Sequence, residues 1–488
     1  MKQLAAQMSQ INTQPSSTSI VIIGGGVAGA TAAVHLSEIG QNVTLIERGA
    51  SLVSGPPICH LHAGGNLYRE ISTEQCIELL EQSIETVRLY PQTINRRPTL
   101  IAVPISDPGS VDEVESRLQT IRDCYQTLVD RDPANQVLGA PQDYYRCFSK
   151  EELQALATRT QPEAPTSVEE WVIPFAQHAD FDALKYPVVA VQEHGWSVFR
   201  LAASAKLTLA AHPNCQLLTS CEVTDLEESG DGWLIRYRDD NNRLHELQTQ
   251  YVINACGYQT GTIDDLAQKK RQRLVEFKAA YVTRWAQCDQ VWPEVIFHGQ
   301  RGTPAGMAQL TPYANKVFQL HGMTKEITLF DEGLVASDDR SSQPQLPAPL
   351  IKTLNQGWDE SVAKERSLRA VRHIGQYVPD YHSADYYALP LFGAQQIPGR
   401  DDSLRAADVS FEANHYARIE VVKGSSALEA ARKVVTQWGL YDYQGASIET
   451  LHPVCTRLVA SDVEQEAKRI AIERGYPAEL AQVYGESQ

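Results

Sequence analysis

Residues Ser19 to Arg48 read SIVIIGGGVAGATAAVHLSEIGQNVTLIER. The apolar run Ile20 to Ile23 predicts a buried parallel strand. Glycines 24, 26 and 29 follow in the spacing G-x-G-x-x-G, and the helical run Ala28 to Glu38 carries alanines and Leu36 that can pack on a sheet. Gly40 ends that helix, as a residue tolerant of positive φ does. A second strand, Asn42 to Ile46, leads to Glu47, 18 positions after Gly29. Strand, glycines, helix, strand and acid in register form one βαβ unit built for a dinucleotide. Gly24 permits the tight turn, Gly26 lets backbone approach a pyrophosphate, and Gly29 lets helix and sheet close together. The helix N-terminus offers unpaired N–H groups and about half a positive charge to phosphate. Glu47 is placed to accept hydrogen bonds from ribose hydroxyls. NAD and FAD share such a cradle, so this unit alone leaves the ligand open.

The 488 residues are enough for two or three domains or one large discontinuous one. Sixty acids against 43 bases give a formal charge of -17, which argues against nucleic acid, because phosphate contacts need clustered Lys and Arg. The densest basic run, Lys269-Lys270-Arg271, reads as a solvated face. Nine cysteines without C-x-x-C spacing suggest neither a metal site nor a disulfide framework, and point to a reducing, cytoplasmic compartment. Residues 1–18 lack the apolar core of a signal peptide and read as a polar lead-in. No run of about 20 apolar residues is present, so no transmembrane helix is expected, and peripheral contact with the inner membrane is left open.

Beyond the opening unit, GPPICHLHAGGNLYREIS (55–72) is dense in proline, histidine and glycine, which suggests backbone in close approach to another group. Residues 74–90 have helical periodicity through Ile77, Leu80, Ile84 and Val87. RPTLIAVPIS (97–106) reads as a strand, with Pro104 hinting at an edge. Residues 111–160 read as two or three helices, the last with a capping box of Ser149 and Glu152. Residues 161–190 read as loop and strand, with prolines at 162, 165, 174 and 187. A helix over Val198 to Ala211 comes next, then strands in DGWLIRYRD and LHELQTQYVINAC joined by the turn-like DDNN. Glu222-Val223-Thr224 is expected at a bend. The middle, 266–350, alternates strands and turns, a helix follows near 359–374, and HYARIEVVKGSSALEAARKVVTQWG (415–439) gives strand, turn and helix. The C-terminal tail reads as a surface helix with an extension.

Three separated segments, the unit from Gly24 to Glu47, the strand-turn VINACG and the strand-turn-helix VVKGSSALEAA, resemble the glutathione-reductase-type flavoproteins, and within them the D-amino-acid-oxidase-like clan of FAD-dependent oxidoreductases. The loop HLHAGGNLY (60–68) resembles the His-Ala-Gly loop of L-2-hydroxyglutarate oxidase-like proteins and, more loosely, that of malate:quinone oxidoreductases. The resemblance implies an α/β fold, α+β overall, in which a Rossmann-like FAD-binding domain joins a substrate domain of mainly antiparallel sheet plus helices. The expected FAD domain is discontinuous, from 19–100, 190–265 and 365–450; the substrate domain is 101–189 and 266–364, and 451–488 is a helical tail.

It also implies the cofactor contacts. Gly24, Gly26, Val27, Ala28, Gly29, Glu47 and Arg48 would come from the opening unit. His62, Ala63 and Gly64 would lie along the isoalloxazine ring, Val223, Ala255 and Gly257 beside the nucleotide, and Lys423, Gly424, Ser425 and Ser426 under the flavin. This chain departs from the clan in lacking a long glycine-rich insert before Lys423. FAD rather than NAD follows from the resemblance and from a plain search: there is one G-x-G-x-x-G, no C-x-x-x-x-C redox pair, and no Gly-Asp-Ala segment before the late helix. Electrons then come from the substrate and leave through oxygen, a quinone or another acceptor.

The chemistry expected is oxidation of a C–H bond next to a hydroxyl or amine by hydride transfer to flavin, with a 2-hydroxy acid preferred because of the His-Ala-Gly loop. A hydroxyl needs a proton acceptor, and histidine titrates near neutrality. His62 is the first candidate and His60 the second; the competing reading is that His62 contacts the cofactor or anchors it covalently. A carboxylate substrate needs a cation. Arg372, in RHIGQYVPDY (372–381), is similar to the arginine of the clan's arginine-glycine-proline-aspartate segment, and the alternative is a structural pair with Asp380. Arg284, His298, Tyr313 and His321 lie on strand-like segments that could line the pocket, and Cys59 is expected to be a small buried thiol. The rival enzyme reading is an amino-acid or amine oxidase; a flavin-binding protein that assists or modifies a partner protein, and a flavin-free NAD module, are the readings of other kinds.

Overall fold

The computed structural model describes residues 19–55, 57, 61, 71–401 and 407–485. The opening unit forms as its periodicity dictates: strand Ser19–Ile23, helix Val27–Glu38 and strand Asn42–Ile46, with Gly40 at φ 85° beyond the helix end. Its two strands pair in parallel, and they sit inside a six-stranded sheet. Across that sheet the order is Asp408–Glu412, Tyr416–Glu420, Tyr251–Asn254, Ser19–Ile23, Asn42–Ile46 and Cys215–Leu218, with only the first strand antiparallel. Apolar residues of Val27–Glu38, Val198–Ala211 and Ala427–Trp438 cover one face in a single buried cluster. A three-stranded antiparallel sheet, Glu222–Ser229, Gly232–Arg238 and Leu244–Thr249, packs on the other face through Trp233, Ile235 and Val223. Glu222-Val223-Thr224 therefore opens a strand rather than marking a bend.

The second large sheet is nine-stranded and mainly antiparallel. Its long central strand, Arg273–Arg284, pairs with Val317–Gly322 on one side and with Asp385–Pro398 over nearly its whole length on the other. Thr99–Pro104 lies between Glu294–Phe297 and Leu184–Val191, so it is an interior strand. Pro104 is tolerated there because it is the last residue of the strand. Residues along this sheet alternate. Val295, Phe297, Leu310, Phe318 and Leu320 point into one apolar core, while Glu294, Gln309, Thr311, Gln319 and His321 are buried on the opposite face.

Three other expectations change. Val168–His178 is a helix, held at its start by a capping box of Ser167 and Glu170, although Pro174 lies inside it. The strand Asp385–Pro398, expected in the FAD domain, belongs to the second sheet, and helix Glu360–Ile374 buries Ala370, Val371 and Ile374 in that sheet's core. The C-terminal helix Ala460–Glu473 is no surface appendage. Its Val463, Ala467, Ile470 and Ala471 are buried in the first core, and Arg474 donates to the carbonyls of Leu52 and, at 3.0 Å, Val53. Among the described residues no helix is long and apolar enough to cross a membrane.

A buried ionic cluster joins the two sheets. Arg273, on the second sheet, pairs with Asp264 at 2.5 Å and with Glu420 at 3.0 Å, and all three side chains are fully buried. Asp264 also accepts from Arg418 Nε at 2.6 Å and from the Tyr416 hydroxyl at 2.7 Å, both on the first sheet. Removing one member leaves buried charge without a partner, so Arg273→Met is expected to lower unfolding stability by about 3–5 kcal/mol in urea denaturation. A second buried chain runs from the Tyr443 hydroxyl to His35 Nε2 at 2.7 Å, from His35 Nδ1 to His452 Nε2 at 2.8 Å, and from His452 Nδ1 to the Ile448 carbonyl at 2.9 Å. Burial holds His35 well below the usual imidazole range and His452 down to about 4. Both are neutral in the fold, so their contribution is complete above the unfolded value near 6.5 and is lost as pH falls toward 4. Stability at pH 5 is expected to be about 2 kcal/mol below that at pH 7 from His452 alone, a difference that His452→Asn should remove.

Candidate active site

A cavity of about 400 Å³ lies between the two sheets. One wall is the opening unit with the ends of its neighbouring strands: Gly24, Gly26, Val27, Ala28, Glu47 and Arg48, joined by Val223, Ala255 and Gly257. The other wall is the second sheet, through Lys278, Ile296, Gln309, His321 and Gln395, with Arg301 and the methionines 307 and 323. The late turn, Val421 to Gly424, closes the space between them.

Glycine geometry explains the first wall. Gly24 sits at φ 98°, and a Cβ there would lie 2.6 Å from the Ala255 carbonyl oxygen. A Cβ on Gly29 would fall 1.8 Å from the Gly24 carbonyl oxygen, so Gly29 packs behind the turn and does not line the cavity. A Cβ on Gly26 would meet nothing within 4 Å: the space beside the helix N-terminus is open, as a pyrophosphate requires. Glu47 accepts the N–H groups of Gly25 and Gly49, each at 2.5 Å, which pins its carboxylate at the end of the second strand. Val53, at φ 55°, donates its N–H to the Gly25 carbonyl at 2.8 Å. Arg48 reaches Tyr258 and Glu222. These features fit a dinucleotide from adenosine ribose to pyrophosphate.

The second wall is cationic. Glu276 pairs with Arg301 and, at 3.0 Å, with Lys278. Burial alone would raise the Glu276 carboxyl, but the two cations hold it below the usual range. Lys278 also donates to Gln395 Oε1 at 2.7 Å, and Gln395 donates to the Val422 carbonyl, which ties the sheet to the late turn. His321 is pushed down to about 4 by burial, against the nearby charge of Glu294 and with Lys278 and Lys423 acting in the same direction as burial, so it is neutral at pH 7. Cys256 lines the cavity, but burial pushes its thiol up and its Sγ lies 3.1 Å from the Ile23 carbonyl oxygen, so it is a packed thiol.

Of the residues expected from sequence, Lys423 and Gly424 line the cavity, whereas Ser425 and Ser426 are buried against helix Thr73–Leu89, where Ser426 donates to Gln82 at 2.5 Å. Arg372 does not reach the cavity: it is exposed in the last turn of Glu360–Ile374, and Asp380 pairs instead with His178 at 2.7 Å. Arg284 pairs with Glu479 far along the strand, His298 is buried without lining the cavity, and Tyr313 stands behind the wall, donating to Gln319. His60, His62, Ala63, Gly64 and Cys59 lie outside the described residues. Sequence reasoning missed Lys278 and Arg301. The one available signal was the pattern RLVEFKAAYV, where Glu276 and Lys278 place two charges on the same face of an otherwise apolar strand.

The model of a family described as FAD dependent oxidoreductase matches residues 19–394. No curated protein matches the chain. Among solved structures the chain is similar to the glycerol-3-phosphate dehydrogenase from Bacillus halodurans complexed with FAD, at 13% identity and a TM-score of 0.53, over 95% of this chain and 74% of that one. It is similar to glycine oxidase from Geobacillus kaustophilus at 14% identity and 0.53, over 88% and 97%. It is similar to L-proline dehydrogenase from P. horikoshii at 15% identity and 0.53, over 95% and 100%. At these identities the likeness is one of fold. Gly26→Ala is expected to leave the urea midpoint unchanged, because its Cβ meets no protein atom, while weakening FAD binding by roughly tenfold or more in a fluorescence titration. Gly29→Ala, by contrast, is expected to disrupt the cradle and lower stability itself.

Proposed function

Because this chain belongs to the FAD-dependent oxidoreductase family and is an enzyme that uses FAD, we propose that it oxidises the C–H bond next to the hydroxyl of a small 2-hydroxy acid. FAD, when bound, supplies the two-electron acceptor for the hydride. The residues of this chain do the rest: Gly24, Gly26 and Glu47 hold the dinucleotide, and the second sheet receives the donor.

The observation that carries this reading is the charge of the second wall. Among the described residues its ionisable groups are Lys278, Arg301 and neutral His321, while the two described acids that line the cavity, Glu47 and Glu222, both belong to the cradle side. Glu276, beneath the wall, balances one of the two cations. A carboxylate is matched by the guanidinium of Arg301 and the ammonium of Lys278, while among the described residues no acid on that wall is placed to pair with a substrate ammonium. The cation for the substrate is thus assigned to Arg301, with Lys278, in place of Arg372. Removing the hydroxyl proton falls to His62 first and His60 second, and the electrons leave to oxygen or a quinone.

Anaerobic mixing of the FAD-loaded enzyme with matched pairs of 2-hydroxy and 2-amino acids tests the proposal. Bleaching of the flavin band by a hydroxy acid is expected; bleaching by the amino acids alone would replace this reading with amino-acid oxidation. Arg301→Leu is expected to raise KM for the active hydroxy acid by roughly tenfold or more with a smaller change in kcat, as for an interaction shared by ground and transition states.

A further inference from the structure

Two methionines stand at the edge of the second wall, and neither fills a core. Met307 and Met323 are the described methionines of the chain, and no buried apolar cluster among the described residues contains either. Both line the cavity instead. Each adjoins a strand end, Met307 just before Ala308–Pro312 and Met323 just after Val317–Gly322. The Met323 N–H donates to the Met307 carbonyl at 2.7 Å, which continues the pairing of these strands by one step and sets the two residues opposite each other. Ile296, on the neighbouring strand Glu294–Phe297, also lines the cavity and is also outside every described core cluster. Methionine is unbranched and polarisable, so it adapts to whatever apolar group lies against it.

These side chains are tied to Arg301 through the main chain. Arg301 lies in the turn, residues 299–306, between Glu294–Phe297 and Ala308–Pro312. The Gly302 N–H donates to the Met323 carbonyl at 2.8 Å, and the Met307 N–H donates to the Gly299 carbonyl at 3.1 Å. The turn is closed tightly, since a Cβ on Gly306 would lie 2.3 Å from the Met323 carbonyl oxygen. The cation and the methionine pair thus belong to one hydrogen-bonded frame. Arg301 gives one N–H to Glu276, and its side chain is still 29% exposed, so the guanidinium keeps donors for a carboxylate. A carboxylate held there has its own carbon chain beside Met307, Met323 and Ile296. An aliphatic chain gains by leaving water against such surfaces, whereas a second carboxylate loses hydration there without gaining a hydrogen bond.

We propose that Met307, Met323 and Ile296 form an apolar subsite for the side chain of the substrate, so that the donor carries one carboxylate and an aliphatic chain. This rests on the hydroxy-acid reading above and narrows it: Arg301 holds the carboxylate end, and the methionine pair selects what is attached to it.

Calorimetric titration of the FAD-loaded full chain tests the subsite without any chemistry. Straight-chain carboxylates from propionate to hexanoate have neither hydroxyl nor amine, so their binding is independent of which donor is oxidised. Each added methylene is expected to tighten binding by roughly two- to fourfold, and glutarate is expected to bind about tenfold more weakly than hexanoate. The double variant Met307→Gln, Met323→Gln keeps side-chain length but makes it polar, and is expected to flatten the series. Met307→Leu, Met323→Leu is expected to preserve it, with flavin retained equally by all three proteins. A flat series in the unsubstituted enzyme, no binding by any of these acids, tighter binding of glutarate, or a slope that survives the glutamine pair would overturn the subsite. Flavin lost from the glutamine variant and kept by the leucine variant would assign the methionines to the cofactor and overturn it as well. In anaerobic bleaching, KM for 2-hydroxyhexanoate is expected to be lower than that for lactate by roughly tenfold or more. Bleaching by 2-amino acids alone would sink the hydroxy-acid reading, while the carboxylate series would still decide the subsite.

Discussion

The position of the cavity depends on one buried ionic cluster. Asp264 accepts from Arg273 on the second sheet and from Arg418, Tyr416 and Asn254 on the first, and Glu420 takes the remaining reach of Arg273. Taking four charged side chains out of water costs several kcal/mol each before their attraction offsets it, so apolar packing would serve stability at least as well. What apolar packing would lack is direction. The late turn begins one residue after Glu420, the turn at Ala255 to Gly257 follows Asn254 directly, and Lys278 stands five residues along the strand from Arg273. Three walls of one cavity are thus referred to a single set of bonds with fixed geometry, and the separation of the sheets follows from them.

The same device recurs at smaller scale on the second wall. Glu276 collects Lys278 and Arg301, two cations whose mutual repulsion in a cavity would otherwise drive them apart. Glu294 orients Gln309 while Arg97 neutralises it. Each acid lies under the wall and holds a residue that is on it. Buried acids paired in this way keep their charge, and groups that are already oriented lose no freedom when a ligand arrives. Because these residues occupy the alternate positions of strands whose other positions fill an apolar core, the sheet that stabilises the second half of the molecule is also a wall of the cavity.

How much of this was legible in the sequence depended on range. The opening unit, the helix Val198–Ala211 and the helix beginning at Glu360 were legible because their signals are local: glycine spacing and 3.6-residue periodicity. Helix Val168–His178 was not, because Pro174 and the prolines at 162, 165 and 187 obscured a capping box at Ser167 and Glu170. The assignment of Asp385–Pro398 failed for a different reason. Its partner, Arg273–Arg284, lies about a hundred residues earlier, and strand pairing at that range leaves no mark on either strand alone. The site divides along the same line. The glycines and Glu47 announce themselves by spacing, whereas a single lysine or arginine on a strand has no spacing to read, and Arg372 drew attention by its neighbours while pointing to solvent.

Even the most legible segment is not self-sufficient. The helix Val27–Glu38 is held from below by His35, whose two ring nitrogens reach Tyr443 and His452 more than 400 residues away. The turn at its other end is held by Val53, which binds Gly25, and the carbonyls of Leu52 and Val53 are in turn held by Arg474. Arg474 is half-buried and pushed down to about 10 by desolvation, so it remains charged near neutrality and its bonds to those carbonyls are charge-assisted. Residues 19–48 therefore specify the shape of the dinucleotide cradle, and Tyr443, His452 and Arg474 supply the contacts that keep that shape in place. A glycine spacing can encode a turn without encoding its rigidity; here rigidity comes from the far end of the chain, which is why the C-terminal segment reads as a tail in one dimension and is a structural part of the site in three.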